Sequence, residues 1–335
     1  MSELNKIASK IVSSGKGILA ADESTGTMTK RLESVNVKSN EENRLEFRSA
    51  LFSSKSMKNC IGGVILYDET IKQIYNGKSI PELISETGAV PGIKVDTGAK
   101  KLAKSNDEKI TEGLDGLRER LKNYYDLGAR FTKWRAVYLI SEKYPSKLAI
   151  NVNAHALARY ASIVQEAGMV PIVEPEVLMD GNHSAQDCFN KTSEVVKKCF
   201  DELIFQKVDL KGILLKPNMI LPGSKSNQKI NSDEIAELTI KCLINSVPSE
   251  VPGIAFLSGG QSELEATKNL NTINKHNKSK FVMTYSYGRA LQQSALKHWS
   301  KDIKDIEGTQ KIFDHRANMC SLASMGKWVE EVDKI

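Results

Sequence analysis

Residues 212–218 read Gly-Ile-Leu-Leu-Lys-Pro-Asn, a short apolar run that ends on Lys216 and turns at Pro217. A lysine is rarely buried unless something pairs with it. At the tip of a strand walled by Ile213, Leu214 and Leu215, the surroundings disfavour the charged form of its amine. An uncharged amine attacks carbonyl carbon and forms a Schiff base. The competing reading is a strand end with a solvated lysine, and this stretch alone leaves both open. Other ionisable residues end apolar runs in the same way: Asp22, Lys94, Lys133 with Arg135, and Glu174 with Glu176. Residues two apart on a strand share a side, so each of those pairs points one way. A second ammonium from Lys133 near Lys216 would disfavour protonation of the first. Asp22 and Glu174 are candidates for the proton transfers that imine chemistry needs. Surface-facing pairs and plain salt bridges are the structural alternatives.

Two glycine-bearing turns follow the last two apolar runs. One is Ser258-Gly259-Gly260-Gln261-Ser262 and the other is Ser286-Tyr287-Gly288-Arg289. Backbone N–H groups in such turns, with a helix N-terminus behind them, bind phosphate. Ser24, Thr27, Arg31 and Lys94 are candidates for a second anion across the mouth, although Thr27 and Arg31 also suit the opening of a helix. The five histidines have neither H-x-H nor H-x-x-x-H spacing, so no imidazole metal site is expected.

Those residues need a scaffold that brings strand tips together. Eight apolar runs, 18–22, 61–68, 92–96, 130–135, 170–176, 212–216, 254–258 and 281–286, recur along the chain. Stretches of helical period separate them, as at Ala154, Leu157, Ala158 and Ala161. Strands alternating with helices over this length predict a (β/α)8 TIM barrel, whose sites lie at the C-terminal ends of the strands. A doubly wound sheet would place G-x-G-x-x-G after the first strand; the turn after Asp22 is Glu-Ser-Thr-Gly. One α/β domain spanning 1–335 is expected. A helix at 4–12 and the final helices are read as decoration on the barrel, with 302–328 as helix packed outside it. Ser262 and Glu265 form an S-x-x-E box that opens a helix after the seventh strand.

The chain has 335 residues with a formal charge of +6 spread along its length. No basic run suggests a nucleic-acid partner, and no apolar run reaches the ~20 residues of a membrane span. The five cysteines are scattered and odd in number, which favours reduced thiols in the cytoplasm. The N-terminus has no signal-peptide pattern.

These residues resemble class I fructose-1,6-bisphosphate aldolase. The matching motifs run along almost the whole chain: residues 15–26 (GKGILAADESTG), 60–67 (CIGGVILY), 92–96 (GIKVD), 133–135 (KWR), 157–162 (LARYAS), 170–177 (VPIVEPEV), 214–219 (LLKPNM), 256–263 (FLSGGQSE) and 286–296 (SYGRALQQSAL). The resemblance implies Lys216 as the Schiff-base lysine and Glu174 as the main proton shuttle. It implies that Asp22 and Lys133 assist at the C–C bond, with Arg135 and Glu176 beside them. One substrate phosphate falls to Ser258, Gly259, Gly260, Ser286, Gly288 and Arg289, the other to Ser24, Thr27, Arg31 and Lys94. It implies no metal or other cofactor, and a homotetramer. A lyase for another sugar phosphate, such as sedoheptulose 1,7-bisphosphate, and a non-catalytic binding protein on the same fold are the alternatives. Animal members end in a mobile tail with a terminal tyrosine that protonates the enamine. This sequence ends in Val-Asp-Lys-Ile335, so slow protonation by a barrel residue or water is expected.

Overall fold

The computed structural model describes residues 2–334. Eight parallel strands close into a barrel. They are β1 (Gly17–Ala20), β2 (Ile61–Leu66), β3 (Val90–Lys94), β4 (Phe131–Tyr138), β5 (Val170–Val177), β6 (Leu214–Leu215), β7 (Gly253–Phe256) and β8 (Val282–Tyr287). Neighbours in the barrel follow chain order, and β8 closes on β1 through Ile18–Ser286 and Leu19–Tyr287. Each of the eight expected runs overlaps one of these strands, with bounds shifted by up to a few residues. Helices cover the outside, so both faces of a strand are buried. That is why β2 reads as the unbroken apolar run IGGVIL and not as an alternating one.

The core has two layers. One lies between strands and outer helices, with Trp134, Phe256, Phe47 and Trp299 fully buried. The other fills the barrel with Ile18, Ile65, Phe131, Ile172 and Leu214. The N-terminal helix Glu3–Ile11 belongs to this inner layer through Ala8 and Ile11, both wholly buried. The helix expected at 4–12 forms and is more than decoration: it plugs the bottom of the barrel. A Cβ on Gly62 would lie 1.9 Å from the Ile11 carbonyl oxygen, so only glycine lets helix and strand approach this closely.

The expected 302–328 helix forms at Ile306–Ser324 and packs outside. A turn at Glu330–Asp333 follows, held where Asp333 accepts bonds from Arg316 (2.6 and 2.5 Å) and Trp328 (2.8 Å). Two hairpins were not expected, Ile74–Tyr75 with Lys78–Ser79 and Gly98–Lys101 with Lys109–Glu112. Their strands are too short or too polar to show a period. Strand β6 is shorter than the expected 212–216, because residues Leu210–Gly212 form a 3₁₀ turn and Pro217 has no N–H to extend the ladder.

Candidate active site

At the C-terminal ends of the strands lies a cavity of about 1100 Å³. Asp22 follows β1, Lys94 ends β3, Lys133 and Arg135 lie on β4, and Glu174 and Glu176 on β5. Lys216 follows β6. All seven line the cavity. So do Ser24, Thr27 and Arg31, the two glycines Gly259 and Gly260 beside Ser258, and Ser286, Gly288 and Arg289. Every sequence-predicted site residue therefore faces one space.

Its centre is a buried chain of alternating charge. Lys216 Nζ lies 3.1 Å from Glu174 Oε1, and Lys133 Nζ lies 3.2 Å from Glu174 Oε2 and 2.7 Å from Asp22 Oδ2. The side chains of Lys216 and Lys133 are only 5% and 4% exposed, so water screens this chain little. Burial alone would raise the Asp22 carboxyl; Lys133 and Lys216 outweigh it and hold it at about 2. Burial works against the charge of Lys133, but Asp22 and Glu174 push it above the ordinary lysine range. Glu174 is likewise pulled below the usual carboxylate range by Lys133, Lys216 and Arg135, against the effect of burial. The expected juxtaposition of two ammonium groups is therefore corrected in one respect: a carboxylate stands between them. The Lys216 ammonium is thus one of the charges that hold Glu174 down.

Arg135 pairs with Glu176 at 2.5 Å, on the rim of the cavity where Arg135 is 43% exposed. Lys94 is bound to Asp96, through the carboxylate at 2.7 Å and the carbonyl at 2.8 Å. Asp96 also accepts from the backbone N–H of Arg135 and Gly98, which ties the second hairpin to the barrel mouth.

The two groups of residues expected to bind anions flank the chain of charges. Gly259 and Gly260 are both left-handed, with φ of 56° and 84°, a turn that L side chains rarely adopt. Ser262 then caps the helix Glu263–His276 in a capping box with Glu265, as expected. Ser286 has a buried hydroxyl with no hydrogen-bond partner among the described residues. On the other side, Ser24 caps the helix Thr25–Glu33 and accepts from the Thr27 N–H, which is the helix-opening role anticipated for Thr27. Arg31 is buried, pairs with Glu23, and donates to Gln292 at 3.3 Å. Its Nε and Nη2 have no hydrogen-bond partner among the described residues, and the residue lines the cavity. Buried donors left unpaired are costly.

Sequence reasoning missed Glu23, Asp96 as the partner of Lys94, the hairpin residues Thr97, Gly98 and Ala99, and the pair Met179 and Ser224 from neighbouring loops. Glu23 adjoins Asp22 in sequence and is the one for which a signal existed. The loop residues enter by tertiary folding: Ser224 N–H donates to the Met179 carbonyl at 2.7 Å.

The sequence profile of the family Fructose-bisphosphate aldolase class-I matches residues 3–335. The chain is 47% identical to a probable fructose-bisphosphate aldolase class 1 of Xylella fastidiosa, covering 97% of this chain and 98% of that one. It is 50% identical to the cytosolic fructose-bisphosphate aldolase 4 of Arabidopsis thaliana, over 97% of this chain and 83% of that one. The fold superposes with a TM-score of 0.96 on the fructose-bisphosphate aldolase of Plasmodium falciparum, solved in complex with TRAP and a small-molecule inhibitor. That protein is 44% identical, with 98% of this chain and 95% of that one covered. With its barrel, its strand-end lysine and these relatives, the chain belongs to the class I fructose-bisphosphate aldolase family.

Proposed function

We propose that Lys216 is the amine that forms the Schiff base, with Glu174 as its proton partner and Lys133 and Asp22 as the charges around the bond that breaks. The reaction is reversible cleavage of fructose 1,6-bisphosphate into dihydroxyacetone phosphate and glyceraldehyde 3-phosphate. The observation that carries the assignment is the 3.1 Å contact between the buried Lys216 amine and Glu174. Lys216 passes its proton to Glu174 and attacks the C2 carbonyl. Glu174 returns that proton to the C2 oxygen to give the carbinolamine, then takes a second proton from the nitrogen and passes it to the C2 hydroxyl, which leaves as water and gives the protonated imine. That cation draws the electron pair of the C3–C4 bond as the C4 hydroxyl passes its proton to the Glu174 carboxylate, with Asp22 and Lys133 beside the developing charges. Protonation of the enamine and hydrolysis free the lysine.

One phosphate rests on Ser258, Gly259, Gly260, Ser286, Gly288 and Arg289. The other rests on Ser24, Thr27, Arg31 and Lys94. Arg135 and Glu176 hold the sugar hydroxyls at the rim. The unpartnered donors of Arg31 and the free hydroxyl of Ser286 support the anion assignments. A cytoplasmic homotetramer built of one such domain per chain is the assembly we infer, from the family and not from the geometry; sedimentation velocity tests it.

Borohydride reduction with dihydroxyacetone phosphate should fix one adduct, on Lys216. Lys216→Met should abolish both the adduct and turnover. A variant that still turns over fructose 1,6-bisphosphate removes Lys216 from this role.

A further inference from the structure

The motif around Lys216 contains a residue to which the chemistry above gives no task. Asn218 is 6% exposed, two positions past the lysine. The ladder between β5 and β6 pairs Leu214 with Ile172 and Leu215 with Val173, and Lys216 N–H donates to the Val173 carbonyl at 2.8 Å. There it meets Pro175, between Glu174 and Glu176, which has no N–H to give. Pro217, next after Lys216, faces the other neighbour, its carbonyl accepting from Leu257 N–H at 3.0 Å. The tip of β5 thus loses a backbone donor toward β6 at the level where spacing matters most.

The next link is made by a side chain. Asn218 Oδ1 accepts from Val177 N–H at 3.0 Å. Its Nδ2 donates to Thr192 Oγ1 and to the Met219 carbonyl, each at 3.1 Å. Thr192 lies on the helix Ala185–Phe205 and is 1% exposed, so the amide is anchored in the wall behind the barrel. A buried amide with both ends bonded has one orientation.

We propose that Asn218 is a positioning residue: its amide staples the tip of β5 to the turn after β6 and so sets the separation of Glu174 from Lys216. This rests on Lys216 forming the imine. The staple matters because Glu174 must reach both the amine and the C2 oxygen at hydrogen-bond distance, and a misplacement of about 1 Å can lower a rate about 100-fold. The phosphate contacts come from other strands, so substrate affinity should stand apart from the loss.

The test compares Asn218→Leu, which keeps the shape and removes every bond, with Asn218→Asp, which keeps an acceptor for Val177 N–H while the Thr192 hydroxyl turns to donate. Folding is checked by circular dichroism. We expect Asn218→Leu to lower kcat and the single-turnover rate of borohydride-trapped adduct about 10- to 100-fold, with KM for fructose 1,6-bisphosphate within about threefold. Asn218→Asp should recover at least about a third of the lost rate on a logarithmic scale. A folded Asn218→Leu with wild-type kcat overturns the proposal. So does a loss shared equally by KM, or an Asn218→Asp variant as slow as Asn218→Leu. If Asn218→Leu does not fold, Thr192→Val decides: kcat about threefold or more below wild type with unchanged KM supports the staple, and wild-type kcat overturns it. Absence of a Lys216 adduct in the wild-type protein sinks the Schiff-base assignment instead, and the two failures are told apart by that control.

Discussion

Glu174 is shared by two lysines, and the physics of the site follows from that sharing. Removing one cation leaves carboxylates buried with less charge to oppose them. Lys133→Met should therefore destabilise the protein by about 3 kcal/mol at pH 7. Asp22 is held at about 2, below its ordinary value of 3.8. A depressed carboxyl stabilises the fold fully above its unfolded value and loses that contribution as pH falls toward the folded one. Wild type therefore keeps the Asp22 contribution down to about pH 4. Without Lys133, burial dominates and Asp22 takes up a proton at higher pH, which relieves the variant as pH falls. The stability deficit should narrow between pH 7 and pH 4.5 in urea unfolding. An equal deficit at both would mean that carboxylate desolvation is not the cause. Sequence spacing placed Lys133, Glu174 and Lys216 at strand tips, because a period of two residues reports which side chains share a face. It could not say that a carboxylate separates the two amines, since that distance is set across three strands.

At the scale of elements, the bottom of the barrel is as demanding as its mouth. The helix Glu3–Ile11 lays Ile11 against β2, and Gly62 leaves no room for a methyl group. Gly62→Ala must move either the helix or the strand, at about 3 kcal/mol. A melting temperature several degrees lower is expected, with kcat per folded molecule unchanged because the reacting groups lie at the opposite end. A drop in kcat that exceeds the folded fraction would show that the plug and the mouth are coupled. The amphipathic period of this helix was readable in the sequence. Its partner was not, because apolar residues at i, i+3, i+4 and i+7 show that a face is buried and not what buries it.

At the scale of the molecule, the net charge of +6 is spread along the chain, and the cavity lining sets seven Lys and Arg against six Asp and Glu, so a bisphosphate meets Lys94, Arg31 and Arg289 as local cations. Salt screens exposed charges of this kind beyond about 10 Å at 0.1 M. Raising ionic strength from about 0.05 M to about 0.5 M should raise KM for fructose 1,6-bisphosphate several-fold and leave kcat nearly constant, since the buried charge chain is out of reach of salt. A kcat that fell in parallel would place screening ions inside the catalytic chain. EDTA should leave the steady-state rate unchanged, because the imine itself serves as the electron sink; a chelator-sensitive rate would contradict that chemistry. The alternation of apolar runs and helical stretches determined the barrel, for a strand buried on both faces must be apolar throughout and a parallel neighbour must be reached through a crossover. The residues ending those runs determined which side chains the mouth would hold. Only tertiary structure decided that Glu23 occupies Arg31, that the hairpin Gly98–Lys101 with Lys109–Glu112 closes one side, and that Asn218 takes over where Pro175 breaks the ladder. Each of these is a contact between segments far apart in the chain, and local periodicity carries no information about which distant partner a polar group will find.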